Sequence, residues 1–221
     1  NNVAAQVTLV ARPGLIEPAE LAEEVNDVLG QPTIQGALSP YALTMAGGDP
    51  GALPSVRSGV AAVQDEGSQF AAFLLAEAPL EGPDKKWLDL CAGPGGKSAL
   101  LAAIGAERGV ELVANEMNPA RAQLVERSTQ ALSNVKVEVK DGTKFGRPGQ
   151  FDRVLVDAPC LGMGSLRRRP ESRWSHAPSD LDNLVPLQER LLDEGVQSAR
   201  EGGLIAWVTC SPKRGHSDGQ N

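Results

Sequence analysis

The chain has 221 residues, a net charge of −7 at pH 7 and a pI near 5.0, with 41% hydrophobic residues and 24 glycines. That is a globular composition and excludes a disordered or low-complexity polypeptide. With no run of about 18 apolar residues and no basic flank before an apolar stretch near the start, the sequence reads as soluble and cytoplasmic, with no membrane partner and no signal peptide.

Charge divides the sequence before any motif does. Residues 1–83 carry two basic side chains, Arg12 and Arg57, against ten acidic ones, whereas residues 84–221 carry nineteen basic and eighteen acidic. A boundary near Gly82-Pro83 follows. The acidic total weighs against a polyanionic partner, but it resides in the first segment, which leaves the second free to contact RNA locally. The first segment opens on apolar Val7 to Ala11, breaks at Pro13-Gly14 and reads as helix from Pro18 to Leu29. Proline suits a first helical turn, early glutamates suit the positive end of the dipole, and Gly30 suits the stop. The Gly- and Pro-rich passage Gln31 to Gly59 reads mostly as loop. A helix is expected from Gly67 to Ala78, with Phe70, Phe73 and Leu74 on one face.

From Lys86 short apolar runs alternate with helical ones. Strands are expected at Trp87 to Leu90, Glu111 to Asn115, Lys136 to Val139, Arg153 to Val156 and Leu204 to Thr209, and helices at Gly96 to Ala106, Pro119 to Leu132 and Ser179 to Arg200. This alternation implies an α/β fold with a parallel, doubly wound sheet, which binds ligands at the carboxyl ends of its strands.

The first of these strands runs into Asp89-Leu90-Cys91-Ala92-Gly93-Pro94-Gly95-Gly96-Lys97-Ser98. Glycines let the backbone approach a ligand closely, and the next helix offers its N-terminal amides. A phosphate-binding G-x-x-x-x-G-K-[ST] loop would need glycine at position 91, which is Cys91, and a dinucleotide G-x-G-x-x-G would need glycine at position 98, which is Ser98. S-adenosylmethionine fits better. Glu116, ending the second strand, is placed to accept ribose hydroxyls, and Asp141, after the third, to bind the adenine amino group.

Three widely spaced cysteines, Cys91, Cys160 and Cys210, argue against a disulfide scaffold and against a zinc or other metal site. The fourth strand ends in Asp157-Ala158-Pro159-Cys160 and the fifth in Thr209-Cys210-Ser211-Pro212. If those strands are neighbours, both thiols and Asp157 converge at the active edge. One cysteine there would read as a small buried hydrophobe; two point to catalysis.

The segments LDLCAGPGGKS (88–98), NEMNPAR (115–121), KDGTKF (140–145), VDAPCLGMGSLRRRPESRW (156–174) and VTCSP (208–212) resemble the RNA cytosine-5 methyltransferases, in particular the bacterial Fmu/Sun (RsmB-like) type that methylates small-subunit ribosomal RNA. VQDEGSQ (63–69) is similar to the segment joining that family's RNA-binding region to its catalytic domain. The resemblance implies a class I S-adenosylmethionine-dependent methyltransferase with a Rossmann-like sheet at 84–212, preceded by a small α+β RNA-binding-type segment and linker at 1–83. It implies Cys210 as nucleophile, Cys160 as the group assisting release, and Asp157 as a hydrogen-bonding partner of the cytosine edge. Cofactor contacts would come from Cys91, Ala92, Gly93, Pro94, Gly95, Gly96, Lys97, Glu116, Arg121, Asp141 and Asp157. Lys97 reads as an orienting or ion-pairing residue, because this cofactor carries no phosphate.

Between Lys144 and Arg173 seven basic residues face three acidic ones, and Arg167, Arg168, Arg169 and Arg173 follow the Cys160 loop, so they are assigned to ribosomal RNA phosphates. His176 reads as structural or phosphate-facing. The cytosine must be single-stranded or flipped out to meet the thiol. Asn1 is not an initiator methionine, the family's NusB-like helical domain does not precede the region, and residues 213–221 depart from the family pattern. The chain is therefore expected to be a fragment, monomeric but with an exposed strand at Leu204 to Thr209 that favours self-association. The rival functions are a P-loop nucleotide hydrolase, with Asp157 as its metal-binding acid, and a non-catalytic RNA-binding fragment.

Overall fold

The computed structural model describes residues 6–160 and 180–209. Cys210, Arg167, Arg168, Arg169, Arg173 and His176 lie outside the described residues.

Two sheets divide the chain. The first is antiparallel, with β1 (Val7–Ala11) between β3 (Ala42–Met45) and β4 (Ala61–Val63), and β2 (Thr33–Gln35) on the far side of β3. Helix α1 (Pro18–Leu29) covers it, burying Leu21 and Val25 among Leu9, Leu43 and Leu53. The passage 31–59, expected as loop, holds β2, β3 and the short helix α2 (Pro54–Ser58). Its strands are three and four residues long, too short for alternation to register, and their stability comes from cross-strand partners such as Leu9–Leu43.

The second sheet is wholly parallel. Its strands are β5 (Lys86–Asp89), β6 (Glu111–Asn115), β7 (Val135–Glu138), β8 (Phe151–Asp157) and β9 (Ala199–Val208), in the order β7-β6-β5-β8-β9. Alternate residues of its strands feed two cores. Trp87, Leu112 and Leu155 pack with α3 (Glu66–Glu77) and α4 (Gly96–Ala106), while Leu88, Val154 and Val156 pack with Leu191 of α6 (Asp180–Ser198). Helix α5 (Pro119–Thr129) lies beside α4. This is the doubly wound arrangement expected from the sequence, and the order reverses between β5 and β8, where a crevice forms. Two details differ. Helix α3 precedes Gly82-Pro83 but packs on α4, β8 and β9 beyond that boundary, while Gln69 and Phe73 also tie it back to Leu9 of β1 and Tyr41 beside β3. Strand β9 begins at Ala199 rather than Leu204, because a register shift around Gly202 and Gly203 lets the sheet continue through residues that read as a break. Among the described residues β9 pairs with β8 alone; Ile205 and Trp207 stay over a third exposed beside a groove of about 370 Å³ shared with Phe70 and Leu74 of α3.

The linker between the sheets is held by arginines. Arg153, only 3% exposed, reaches from β8 to both Asp84 oxygens (2.9 and 2.7 Å) and to the Ala78 carbonyl (2.8 Å), with its guanidinium over the Trp87 ring. Burial alone would raise the Asp84 carboxyl, but hydrogen bonds from Arg153 and Trp87 hold it below the ordinary value. Arg200 binds the carbonyls of Glu81 and Pro83. Arg153→Leu is expected to cost about 3–5 kcal/mol in urea unfolding, since it leaves Asp84 without its cation, with only the hydrogen bond from Trp87, and strips the Leu75 and Ala78 carbonyls of a donor; a loss below about 1 kcal/mol would mean that the linker is held without it.

Candidate cofactor-binding and catalytic site

The loop after β5 turns sharply at Gly95, whose φ of +105° suits glycine and where a Cβ would fall 2.8 Å from the Val125 backbone of α5. A Cβ at Gly93 would fall 2.1 Å from Glu116 Oε2, so the carboxylate rests against bare backbone. Glu116 accepts hydrogen bonds from Gly93 N (3.1 Å) and Asn118 N (2.9 Å). Arg121 donates to the Gly93 carbonyl (2.6 Å) and lies 3.6 Å from Glu116, while Ser128 donates to the Pro94 carbonyl (3.0 Å). Helix α5 thus positions the loop from outside, and Asn118, capping α5 through Ala120 N and Arg121 N, fixes Arg121.

Lys97, on the first turn of α4, crosses the crevice to Asp157 at the end of β8, Nζ to Oδ2 2.8 Å, with side-chain exposures of 14% and 31%. An ammonium held by this carboxylate is committed to the β8 side rather than to a phosphate cradle, which disfavours the P-loop reading. Beneath the pair, Asp89 accepts a hydrogen bond from Ser98 Oγ (2.7 Å) and is fully buried. Burial pushes its carboxyl up to about 7, Ser98 opposes this, and the Asp157 charge adds to it. Because the folded value lies above the ordinary 3.8, the stability contributed by this group is intact below about pH 4 and is lost as pH rises towards 7. Asp89→Asn is expected to remove that slope from unfolding measured between pH 4 and 8; an unchanged slope would place the ionised form in the native protein.

Asn115, buried at the end of β6, donates to the carbonyls of Leu90 (3.0 Å) and Lys140 (3.2 Å), tying the chain after β5 to that after β7. Asp141 turns one oxygen onto Thr143 N (2.9 Å) and Oγ1 (2.8 Å), and those hydrogen bonds lower its pKa. Burial pushes the Cys91 thiol up to about 12, with Asp89, Glu116 and Asp157 adding to the effect, so it stays protonated and is no nucleophile. Cys160 is half-buried three residues beyond β8, in a segment held by Ala158 N to Val208 O (3.0 Å) and Gln188 Nε2 to Pro159 O (2.6 Å).

The structure therefore gathers Cys91 to Lys97, Glu116, Arg121, Asp141, Asp157 and Cys160 at the carboxyl ends of the strands. Four of the six buried side-chain polar atoms without a partner among the described residues lie in this region: both amide atoms of Gln64, Asp89 Oδ1 and Asn115 Oδ1. Such atoms suit a polar ligand bound among them. The basic stretch needs correction: Arg153 is interior, and Arg147 binds Glu138 (2.7 Å), so neither belongs to a free RNA-facing patch. Burial works against Glu138, but Lys136, Arg147 and Lys140 hold its carboxyl near 2. The sequence reading gave no role to Asp89, Asn115 or Gln64; an acid ending an apolar strand was a signal for Asp89, and nothing local marked Gln64. No three metal-ligating side chains cluster and no helix is long and apolar enough to cross a membrane, among the described residues.

A parallel sheet with this order and a glycine-rich turn after its first strand defines the class I methyltransferase fold. Residues 77–219 match the family described as 16S rRNA methyltransferase RsmB/F, and the chain belongs to that family. It is 36% identical over 168 residues to ribosomal RNA small subunit methyltransferase B of Shewanella oneidensis, covering 74% of this chain and 38% of that protein. It is 47% identical over 206 residues to a Mycobacterium tuberculosis protein named as a methyltransferase, covering 93% and 44%. The chain thus spans less than half the length of these relatives. Among solved structures, PH0851 superposes with a TM-score of 0.87 at 25% identity over 96% of this chain and 48% of its own. NSun6 from Pyrococcus horikoshii shares the fold, with a TM-score of 0.79 at 17% identity over 94% and 76%.

Proposed function

We propose that this chain carries the catalytic site of an S-adenosylmethionine-dependent methyltransferase acting at carbon 5 of a cytosine in small-subunit ribosomal RNA, through a covalent cysteine adduct. The observation that carries the reading is that the Glu116-backed glycine loop, the Lys97–Asp157 pair and the Cys160 segment meet at the carboxyl ends of neighbouring strands β6, β5 and β8. S-adenosylmethionine, when bound, supplies an electrophilic methyl group. The Cys91-to-Lys97 loop and the α4 N-terminus hold its polar end, Glu116 takes the ribose hydroxyls, Asp141 takes the adenine amino group, and Arg121 braces Gly93.

Carbon 5 of cytosine is a poor nucleophile. The Cys210 thiolate adds to carbon 6, and the carbon 5–carbon 6 π pair moves into the ring as an enamine, while Asp157, oriented by Lys97, supports a proton at the ring nitrogen. Once carbon 5 carries the methyl group and the ring nitrogen has returned its proton to Asp157, Cys160 assists removal of the carbon 5 proton; the carbon–hydrogen bonding pair re-forms the carbon 5–carbon 6 double bond, the sulfur–carbon 6 bond breaks with its pair, and the Cys210 thiolate is restored. Arg167, Arg168, Arg169 and Arg173 meet RNA phosphates beside the loop.

Incubation with S-adenosylmethionine labelled in its methyl group and protein-free 16S ribosomal RNA tests the reading. Label in RNA is expected; label nowhere, in a protein that binds the cofactor, would favour the non-catalytic RNA-binding alternative.

A further inference from the structure

Gln64 stands between the two sheets, one residue beyond β4, and its backbone is clamped. Its N–H donates to the Thr8 carbonyl (3.0 Å), and its carbonyl accepts from Gln69 Nε2 (3.0 Å). Gln69 is fully satisfied, with Nε2 also on the Leu9 carbonyl (3.1 Å) and Oε1 accepting from Ser39 Oγ (2.9 Å). The Gln64 side chain, 8% exposed, has neither its amide nitrogen nor its amide oxygen paired. A buried amide left wholly unpaired is rare, because each orphan atom forfeits a hydrogen bond to water.

Its direction identifies a partner. A Cβ built on Gly96, the first residue of α4, would lie 3.5 Å from Gln64 Cδ, 3.7 Å from Nε2 and 3.8 Å from Oε1. The amide therefore faces the N-terminus of an eleven-residue helix, where backbone N–H groups and the dipole favour a carboxylate. On the reading that Asp141 and Glu116 take the adenine and the ribose, strand order β7-β6-β5-β8 sends the remaining end of the cofactor towards β5 and α4. That end is an aminocarboxylate, an anion beside an ammonium. An amide with both a donor and an acceptor free matches it.

We propose that Gln64, supplied by the N-terminal antiparallel sheet, is a cofactor-binding residue: Nε2 donates to the carboxylate of the aminocarboxyl end and Oε1 accepts from its ammonium. The two sheets then share one ligand, and Gln69 is a positioning residue that holds the Gln64 backbone. This inference rests on the cofactor assignment above.

Calorimetry on the whole chain tests it with two ligands, S-adenosylhomocysteine, which carries the aminocarboxyl end, and 5′-methylthioadenosine, which lacks it. For Gln64→Leu, similar in size, the Kd for S-adenosylhomocysteine is expected to rise roughly tenfold or more, as for loss of hydrogen bonds to charged groups, while the Kd for methylthioadenosine changes less than about twofold. Gln64→Glu, which sets like charges together, is expected to bind S-adenosylhomocysteine more weakly still. Unchanged S-adenosylhomocysteine binding in Gln64→Leu, or equal loss of both ligands, would overturn the proposal; equal loss would mean that the residue only supports the fold. Wild-type protein binding neither ligand would instead remove the cofactor assignment itself.

Discussion

Replacing Cys210 by Ala is expected to lower methyl transfer by at least about 10³-fold and to leave no covalent protein–RNA complex, because the group that activates the ring is gone. Cys160→Ala is expected to stop turnover with the RNA still attached, as a complex that survives a denaturing gel. The geometry that supports this is the end of the sheet. Asp157 of β8 pairs in register with Val208 of β9, and the sequence reaches a cysteine three residues beyond the first and two beyond the second. The segment leading to Cys160 stays beside β9 through the Ala158–Val208 hydrogen bond. The opposite gel pattern would exchange the roles of the cysteines, and full activity in both variants would remove the covalent mechanism.

Lys97→Met is expected to reduce turnover by about 10²-fold or more while the Kd for the cofactor changes little, because Lys97 belongs to the cofactor loop through its backbone and its ammonium is held by Asp157. Lys97 is the described basic side chain paired with Asp157, at 2.8 Å. Without it the Asp157 side chain loses the partner that orients it towards the cytosine edge, with buried Asp89 close behind it. Lys97→Arg should not restore activity, since a planar fork cannot occupy the space of a compact ammonium at the start of α4. Wild-type turnover in Lys97→Met, or a loss explained wholly by weaker cofactor binding, would contradict a role in orienting Asp157.

The second sheet was legible because its strands are short runs set off, except between β7 and β8, by helices of ordinary length, and right-handed crossovers then leave few orders. The glycine loop and the acids at 116 and 141 were legible as residues at strand ends. The first sheet was not, because β2 and β3 take their stability from pairing with β1 and one another rather than from their own pattern. Strand β9 was read short because Gly202 and Gly203 look like a terminator when the bulged register with β8 is unseen. Arg153 illustrates the converse limit. As a letter it counted towards an RNA-facing charge; in the fold it is an interior clamp on the linker. Gln64 lay in a segment similar to the family's, but only its packing against Gly96 suggests a ligand.

Chemistry at carbon 5 stands or falls on which nucleoside carries the label. Ribosomal RNA exposed to this protein and methyl-labelled S-adenosylmethionine should be digested to nucleosides and separated beside standards. Label is expected in 5-methylcytidine; label in N4-methylcytidine, in a 2′-O-methyl nucleoside or in a methylated purine would rule out transfer to carbon 5.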